Sequence, residues 1–258
     1  MSLPAGTTAR PIQEKLESGG GFSWWRPAYK VENIRVKKKI KMCHPKVSRL
    51  MTDLDAEEIE TLIAPMLVQP IPSAGWTQLA GYFRLLYHWN KRMNLTAVRD
   101  AKTMASLHIA ECLRAAQRIP KGVETVLDFG SGAGLPGIPC QIARPEIRVT
   151  LAESQNKKTA FLREALRELR LANACVHAGR VEELPASHLF DVVMLRAVDR
   201  MNEALAEAET RIGGSGYCFV LTTEAESLWI MKELSNFGWE SEAIPGTRRR
   251  VLLMGKRR

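Results

Sequence analysis

The stretch Thr125-Val-Leu-Asp-Phe-Gly-Ser-Gly-Ala-Gly-Leu-Pro-Gly-Ile-Pro139 decides how this chain is read. Val126, Leu127 and Phe129 form the short apolar run of a buried strand, with Asp128 set among them, and a glycine-packed turn follows that leads into a helix. Gly130, Gly132 and Gly134 permit backbone angles and a closeness of approach that any Cβ would block. A ligand can therefore lie directly on the main chain. The alternative at this point is a tight strand-to-helix turn with no ligand.

The spacing D-x-G-x-G-x-G, counted from Asp128, differs from the G-x-G-x-x-G that receives a pyrophosphate. It is the form of the loop that suits S-adenosylmethionine. That cofactor has no phosphate, so a helix N-terminus aimed at one is not required. It needs an acid near its ammonium and sulfonium charges, and open backbone beside its methionine part.

Working outward, 258 residues allow one sizeable domain plus an appendage, and the 45% apolar content is that of a globular protein. No run reaches membrane-spanning length, and Met1 to Gly20 lacks the basic-then-apolar order of a secretory signal, so a cytoplasmic protein is expected. Cys43, Cys112, Cys140, Cys175 and Cys218 are scattered without a C-x-x-C pair, which points to reduced, mostly buried thiols and to no metal site. The net charge of +9 is uneven: residues 1–50 hold 11 Lys or Arg against 3 Glu, leaving 26 basic to 25 acidic residues from Met51 onward. Arg35-Val-Lys-Lys-Lys-Ile-Lys41, with Trp24, Trp25 and Arg26 nearby, could bind phosphates and stack on bases. A disordered solvated tail or an upstream extension of the reading frame reads equally well, with Met51 as a start followed by the helix-capping run Thr52-Asp-Leu-Asp55.

The expected organisation is thus a basic, disordered extension over 1–50, a helical cap over 51–120 and a cofactor-binding domain over 121–258. In the cap, Ile59, Leu62, Ile63, Met66 and Leu67 recur at helical spacing, as do Leu79, Tyr82, Phe83, Leu86 and Trp89. Met104, Leu107, His108, Glu111, Cys112 and Ala115 continue the pattern. From Thr125 strands and helices alternate: strands to Phe129 and over 148–152, a helix over 154–171, strands over 174–178 and 191–196. A helix over 199–212, a strand over 217–221, a helix over 224–237 and a closing pair over 239–244 and 249–255 complete the series. Short apolar strands between amphipathic helices imply an α/β, doubly wound, mostly parallel sheet with helices on both faces. The closing pair, turning at Pro245-Gly246, is expected as an antiparallel edge hairpin.

Ligands of such sheets sit outside the carboxyl ends of the strands where the strand order reverses. Glu153 closes the second strand, where an acid can accept from both ribose hydroxyls; a helix-start acid is the alternative. Val181 and Glu182 follow the third strand and could read an adenine edge, or Glu182 could be a solvated loop acid. Arg196 ends the fourth strand facing the substrate space, unless it is held in a structural ion pair. Asn90, Lys91 and Asn94 could contact RNA or finish a helix end. His108, on an apolar face with Met104 and Cys112, reads as a core histidine, with a site role as the alternative.

Trp89-Asn-Lys-Arg-Met-Asn-Leu-Thr96, His108-Ile109, Gly130-Ser-Gly-Ala-Gly-Leu-Pro-Gly-Ile-Pro139, Arg180-Val-Glu-Glu183 and Leu195-Arg-Ala197 follow one another as in the RsmG family, also called GidB. The chain resembles that family from about residue 51 to its C-terminus. The resemblance implies a class I S-adenosylmethionine-dependent methyltransferase fold, of the Rossmann-like kind with a seven-stranded sheet. It further implies methylation at N7 of a guanine in the 530 loop of 16S ribosomal RNA, with that RNA or the small subunit as partner. Cofactor contacts then fall on Gly130, Leu135, Val181, Glu182 and Arg196, while Asn90, Lys91, Asn94 and His108 stay candidates for the substrate RNA. Arg196 is expected to position the ligands without any general base, and the protein to act as a monomer. Two places depart from the family pattern: Thr222-Thr223 stand where a lysine and glycine are usual, and His108-Ile-Ala-Glu-Cys112 where H-I-x-D-S is usual. The rival readings are a non-catalytic S-adenosylmethionine- or RNA-binding protein and a nicotinamide-dependent oxidoreductase.

Overall fold

The computed structural model describes residues 54–98 and 100–258; the basic extension over 1–50, the start at Met51 and Thr52 lie outside the described residues. Asp55 does cap the first helix, α1 (Ala56–Ile63): its carboxylate accepts from the Glu58 amide while the Glu58 side chain reaches back to the Asp55 amide. Pro65 ends α1 in a 3₁₀ turn, so Met66 and Leu67 fall beyond the helix. Next come α2 (Ser73–Met93), the single turn α3 (Ala101–Thr103), a π-helical turn over Met104–Ile109, and α4 (Ala110–Arg118). Among the described residues no helix is long and apolar enough to cross a membrane.

The remainder alternates as β1 (Thr125–Phe129), α5 (Gly137–Ala143), β2 (Arg148–Glu153), α6 (Asn156–Glu168), β3 (Ala174–Ala178), β4 (Phe190–Arg196), α7 (Met201–Thr210), β5 (Ile212–Thr223), α8 (Glu224–Glu233), β6 (Phe237–Ala243) and β7 (Arg250–Arg257). The seven strands lie in the order β3-β2-β1-β4-β5-β7-β6. β1 to β5 are parallel, and β7 pairs antiparallel with both β5 and β6, which makes the expected edge hairpin.

The main differences from the sequence expectation fall at three helices. α6 begins at Asn156 rather than residue 154, because Ser154 and Gln155 stay extended to line a cleft. The helix expected over 199–212 spans Met201–Thr210, and Ile212 already pairs with Phe190 in β5. The register then slips between Phe190 and Val192, and Gly213-Gly214-Ser215-Gly216 absorb the irregularity: a Cβ on Gly216 would lie 2.8 Å from the Asp191 carbonyl oxygen. The last helix stops at Glu233, and Phe237, buried against α8, opens β6 instead.

Alternation along the strands sends side chains to two cores. Val126, Val149, Leu151, Val192 and Met194 pack with α1, α2, α4, α5 and α6, while Leu127, Phe129, Val193, Leu195 and Val220 pack with α7 and α8. Tyr82 and Phe83 of α2 and Phe161 of α6 are fully buried in the first core, each such side chain stabilising the fold by roughly 1.5–3 kcal/mol. The Tyr82 hydroxyl also donates to the Ala133 carbonyl at 2.5 Å, which ties the N-terminal helices to the glycine loop.

Candidate active site

The strand order reverses between β1 and β4, since the chain leaves β1 toward β2 and β3 and returns to β4 and β5 on the other side. At the carboxyl ends there, a cleft of about 260 Å³ opens. Its walls come from Gly130 after β1, Glu153 at the end of β2, Val181 and Glu182 in the 3₁₀ turn after β3, and Val198 and Asp199 after β4. Among the sequence-derived site residues, Gly130, Glu153, Val181 and Glu182 thus meet on one cavity, whereas Asp128, Gly132, Gly134, Leu135 and Arg196 are not on its wall.

The loop beneath the cleft explains those absences. Gly130, Gly132 and Gly134 have φ of +68°, +58° and +87°, all in the left-handed region that glycine tolerates. They are not equivalent, however. A Cβ at Gly130 would meet only Val198 at 3.7 Å, while one at Gly134 would lie 2.4 Å from Ile138 Cδ1. Gly130 leaves backbone bare toward the cleft; Gly134 lets the loop close on α5. Asp128 points into the protein, where it accepts from the Ser131 hydroxyl at 2.5 Å and the Gly137 amide at 2.9 Å. Burial pushes its carboxyl up to about 6, the Ser131 and Gly137 hydrogen bonds offsetting only part of that. Its role in this structure is to pin the loop to α5. Glu153, also buried, accepts from the Gly132 amide at 2.9 Å and the Gln155 amide at 2.8 Å, so it braces the loop while facing the cleft.

Arg200 is not among the residues the sequence singles out, and Ala197 enters only as the end of the Leu195-Arg-Ala197 motif, yet both hold positive φ, +50° and +52°, and both line the cleft. Non-glycine residues in that region store strain, which concentrates at functional segments. Neither residue type announces that backbone angle.

Arg196 lies on the other side of β4, facing the N-terminal helices. Its Nε donates to Glu111 Oε1 at 2.8 Å, and its Nη2 donates to His108 Nδ1. Arg250, from the start of β7, donates to both Glu111 oxygens at 2.7 and 3.1 Å. Burial alone would raise the Glu111 carboxyl; His108, Arg196 and Arg250 outweigh it and hold the group below the ordinary carboxylate value. Glu111 is wholly buried, so the structural ion pair weighed for Arg196 is the one formed. His108 is not a core histidine: its side chain is 25% exposed and leans on the ion cluster. The signal for the cluster was an acid within an apolar helical stripe, Glu111 between His108 and Cys112.

Asn90 is buried and its Oδ1 accepts from the Thr96 amide at 3.0 Å; Asn94 takes the left-handed C-cap of α2 with φ +49°. Both work at the helix end. Lys91 lies exposed over the Tyr87 ring at 4.3 Å. Thr223 caps α8 in a reciprocal box with Glu226, and the Thr222 hydroxyl donates to the same carboxylate at 2.5 Å, so both departures at that point serve a helix start.

The family model for GidB, rRNA small subunit methyltransferase G, matches residues 76–237. The chain belongs to the GidB family. Over 138 residues it is 44% identical to the ribosomal RNA small subunit methyltransferase G of Xanthomonas euvesicatoria, a match covering 54% of this chain and 64% of that protein. It is 45% identical over 131 residues to the protein of the same name from Herminiimonas arsenicoxydans, covering 49% and 60%. The match therefore spans under two thirds of these GidB relatives' length. Among solved structures it is similar to a ribosomal protein L11 methylase from Lactobacillus delbrueckii, with a TM-score of 0.51 at 12% identity over 59% of this chain and 79% of that one. A predicted O-methyltransferase from Agrobacterium tumefaciens gives 0.50 at 22% identity over 58% and 81%. Strand order and these likenesses agree on the class I methyltransferase fold.

Proposed function

We propose that this chain is an S-adenosylmethionine-dependent methyltransferase that modifies N7 of a guanine in the 530 loop of 16S ribosomal RNA. It would work as a cytoplasmic monomer on that RNA or on the small subunit. The observation that carries the reading is the cleft at the β1/β4 reversal in a chain of the GidB family.

The residues present fit the cofactor. Gly130 offers backbone with only Val198 near it, Glu153 turns a buried carboxylate toward the cleft, where it could accept from ribose hydroxyls, and the Val181 amide with Glu182 could read an adenine edge. Asp199 and Glu203 on the wall suit a ligand bearing ammonium and sulfonium charge. Bound there, the cofactor supplies an electrophilic methyl group.

Guanine N7 carries a lone pair and no proton at neutral pH, so the chain need not supply a base. What remains for it is placement: holding the base in line and keeping water out, effects of orientation rather than proton transfer. Arg196 contributes by fixing the end of β4, one residue before the cleft wall at Ala197. Labelled methyl transfer to small-subunit RNA, with the modified base located, tests this; label on guanine N7 is expected, and no transfer to RNA would reject it.

A further inference from the structure

The GidB reading assigns no function to the turn between β6 and β7. We propose that this turn is a phosphate clamp for the RNA substrate, with Arg248 and Arg249 gripping the backbone a few nucleotides from the base held at the cleft. The proposal rests on the RNA methyltransferase reading above.

Three adjacent arginines, Arg248-Arg249-Arg250, close the hairpin, and they have different fates. Arg250 is spent on Glu111. Arg248 and Arg249 are exposed, and neither has a hydrogen bond or ion pair from its side chain among the described residues. Glu224 gives the turn its amide, donating to the Arg249 carbonyl at 2.9 Å.

The turn is nonetheless built firmly. The Ile244 amide donates to the Arg250 carbonyl at 3.0 Å and the Thr247 hydroxyl to the Ile244 carbonyl at 2.7 Å. Arg249 holds φ +60°, where a glycine would rest more easily, so a large cation is kept at a position whose backbone disfavours it.

Its place matches the cleft. Arg250 pairs with Thr223 of β5, and β5 lies beside β4, whose Arg196 pairs with Leu221. The turn therefore stands at the carboxyl edge, two strand spacings or about 10 Å from the end of β4. That span is within reach of a few nucleotides of an RNA strand whose base enters the cleft. Two unpaired guanidinium groups at that distance fit phosphates flanking the target base.

The test uses the full chain and a 16S RNA fragment spanning the 530 loop, with binding followed across a salt series. Replacing both groups, Arg248→Ala with Arg249→Gly, should lower the slope of log affinity against log salt by about 1.4, two phosphates at roughly 0.7 each. The RNA KM should rise about tenfold with kcat and S-adenosylmethionine affinity held, and Arg248→Lys with Arg249→Lys should restore the slope, since charge is what the phosphates read. Arg248→Glu, which leaves the strained residue untouched, gives the same direction of change should the double variant fold poorly. A wild-type slope and KM in folded Arg248→Glu would overturn the clamp alone. If the wild-type chain neither binds nor methylates the fragment, the methyltransferase reading falls and the clamp with it.

Discussion

Two polar regions flank the carboxyl edge of the sheet, and they are made by opposite means. The cleft at β1/β4 is mostly main chain: bare glycine backbone, amides of the turn after β3, and a segment after β4 with two strained residues. The cluster beneath the N-terminal helices is all side chain, Glu111 held by Arg196, Arg250 and His108. The first has an open face and unspent backbone. The second has its charged groups hydrogen-bonded to one another. Charge density by itself is therefore a poor guide to a site here; the region that can take a ligand is the one whose groups are not already satisfied by each other.

Breaking the cluster should cost the most stability. Glu111→Ala leaves Arg196 and Arg250 without their shared counter-charge in the protein, a loss of about 3–5 kcal/mol by analogy with broken buried pairs, read from urea unfolding. Because the folded-state carboxyl lies below its unfolded value, its contribution is present above the ordinary carboxylate range and is lost as pH falls through the folded value. Glu111→Gln should accordingly flatten the acid side of the stability profile.

The two glycines sharpen the contrast on the other side. Gly134→Val drives a side chain into Ile138 and Leu162 at a positive φ, and a loss of about 2–4 kcal/mol is expected in the same unfolding experiment. Gly130→Val meets only Val198, so its stability loss should be about 1–2 kcal/mol from the backbone angle, while cofactor binding vanishes. Equal stability losses at the two positions would erase the distinction.

Glu153→Ala should weaken S-adenosylmethionine about 10- to 100-fold through a lost charged acceptor, measured by calorimetry. The smallest effect is expected at Asp128→Asn, which keeps an acceptor for Ser131 and Gly137 and replaces Oδ1, a buried oxygen with no partner among the described residues. With a folded value near 6 above an unfolded one near 4, Asp128 holds its proton more tightly when folded, so its contribution declines as pH rises from about 4 to 6. The asparagine should remove that decline; an unchanged profile would mean Asp128 is not its source.

The same contrast separates what was legible in the sequence from what was not. Glycine spacing records backbone need, so Thr125–Pro139 foretold the strand, the loop and the cleft beside it, and Glu153 could be placed by its position after the second strand. The ion cluster around Arg196 could not, because Glu111 and Arg250 lie 85 and 54 residues away in sequence and the three meet only in the fold, with Glu111 between the two arginines. Ala197 shows a different limit: its φ of +50° is one that alanine rarely takes, so its residue type does not foretell it. Asp128 was seen, but its direction was not, since strand alternation turned it into the first core and made it a pin for the loop.

The most direct test of the account is calorimetric titration of S-adenosylmethionine into Gly130→Val and Glu111→Gln beside the wild-type chain, all confirmed folded at the measuring temperature. The cleft reading predicts binding to the wild-type and Glu111→Gln proteins within about threefold of each other, and none to Gly130→Val. Undiminished binding to Gly130→Val, with binding lost in folded Glu111→Gln, would move the cofactor from the cleft to the ion cluster and contradict it.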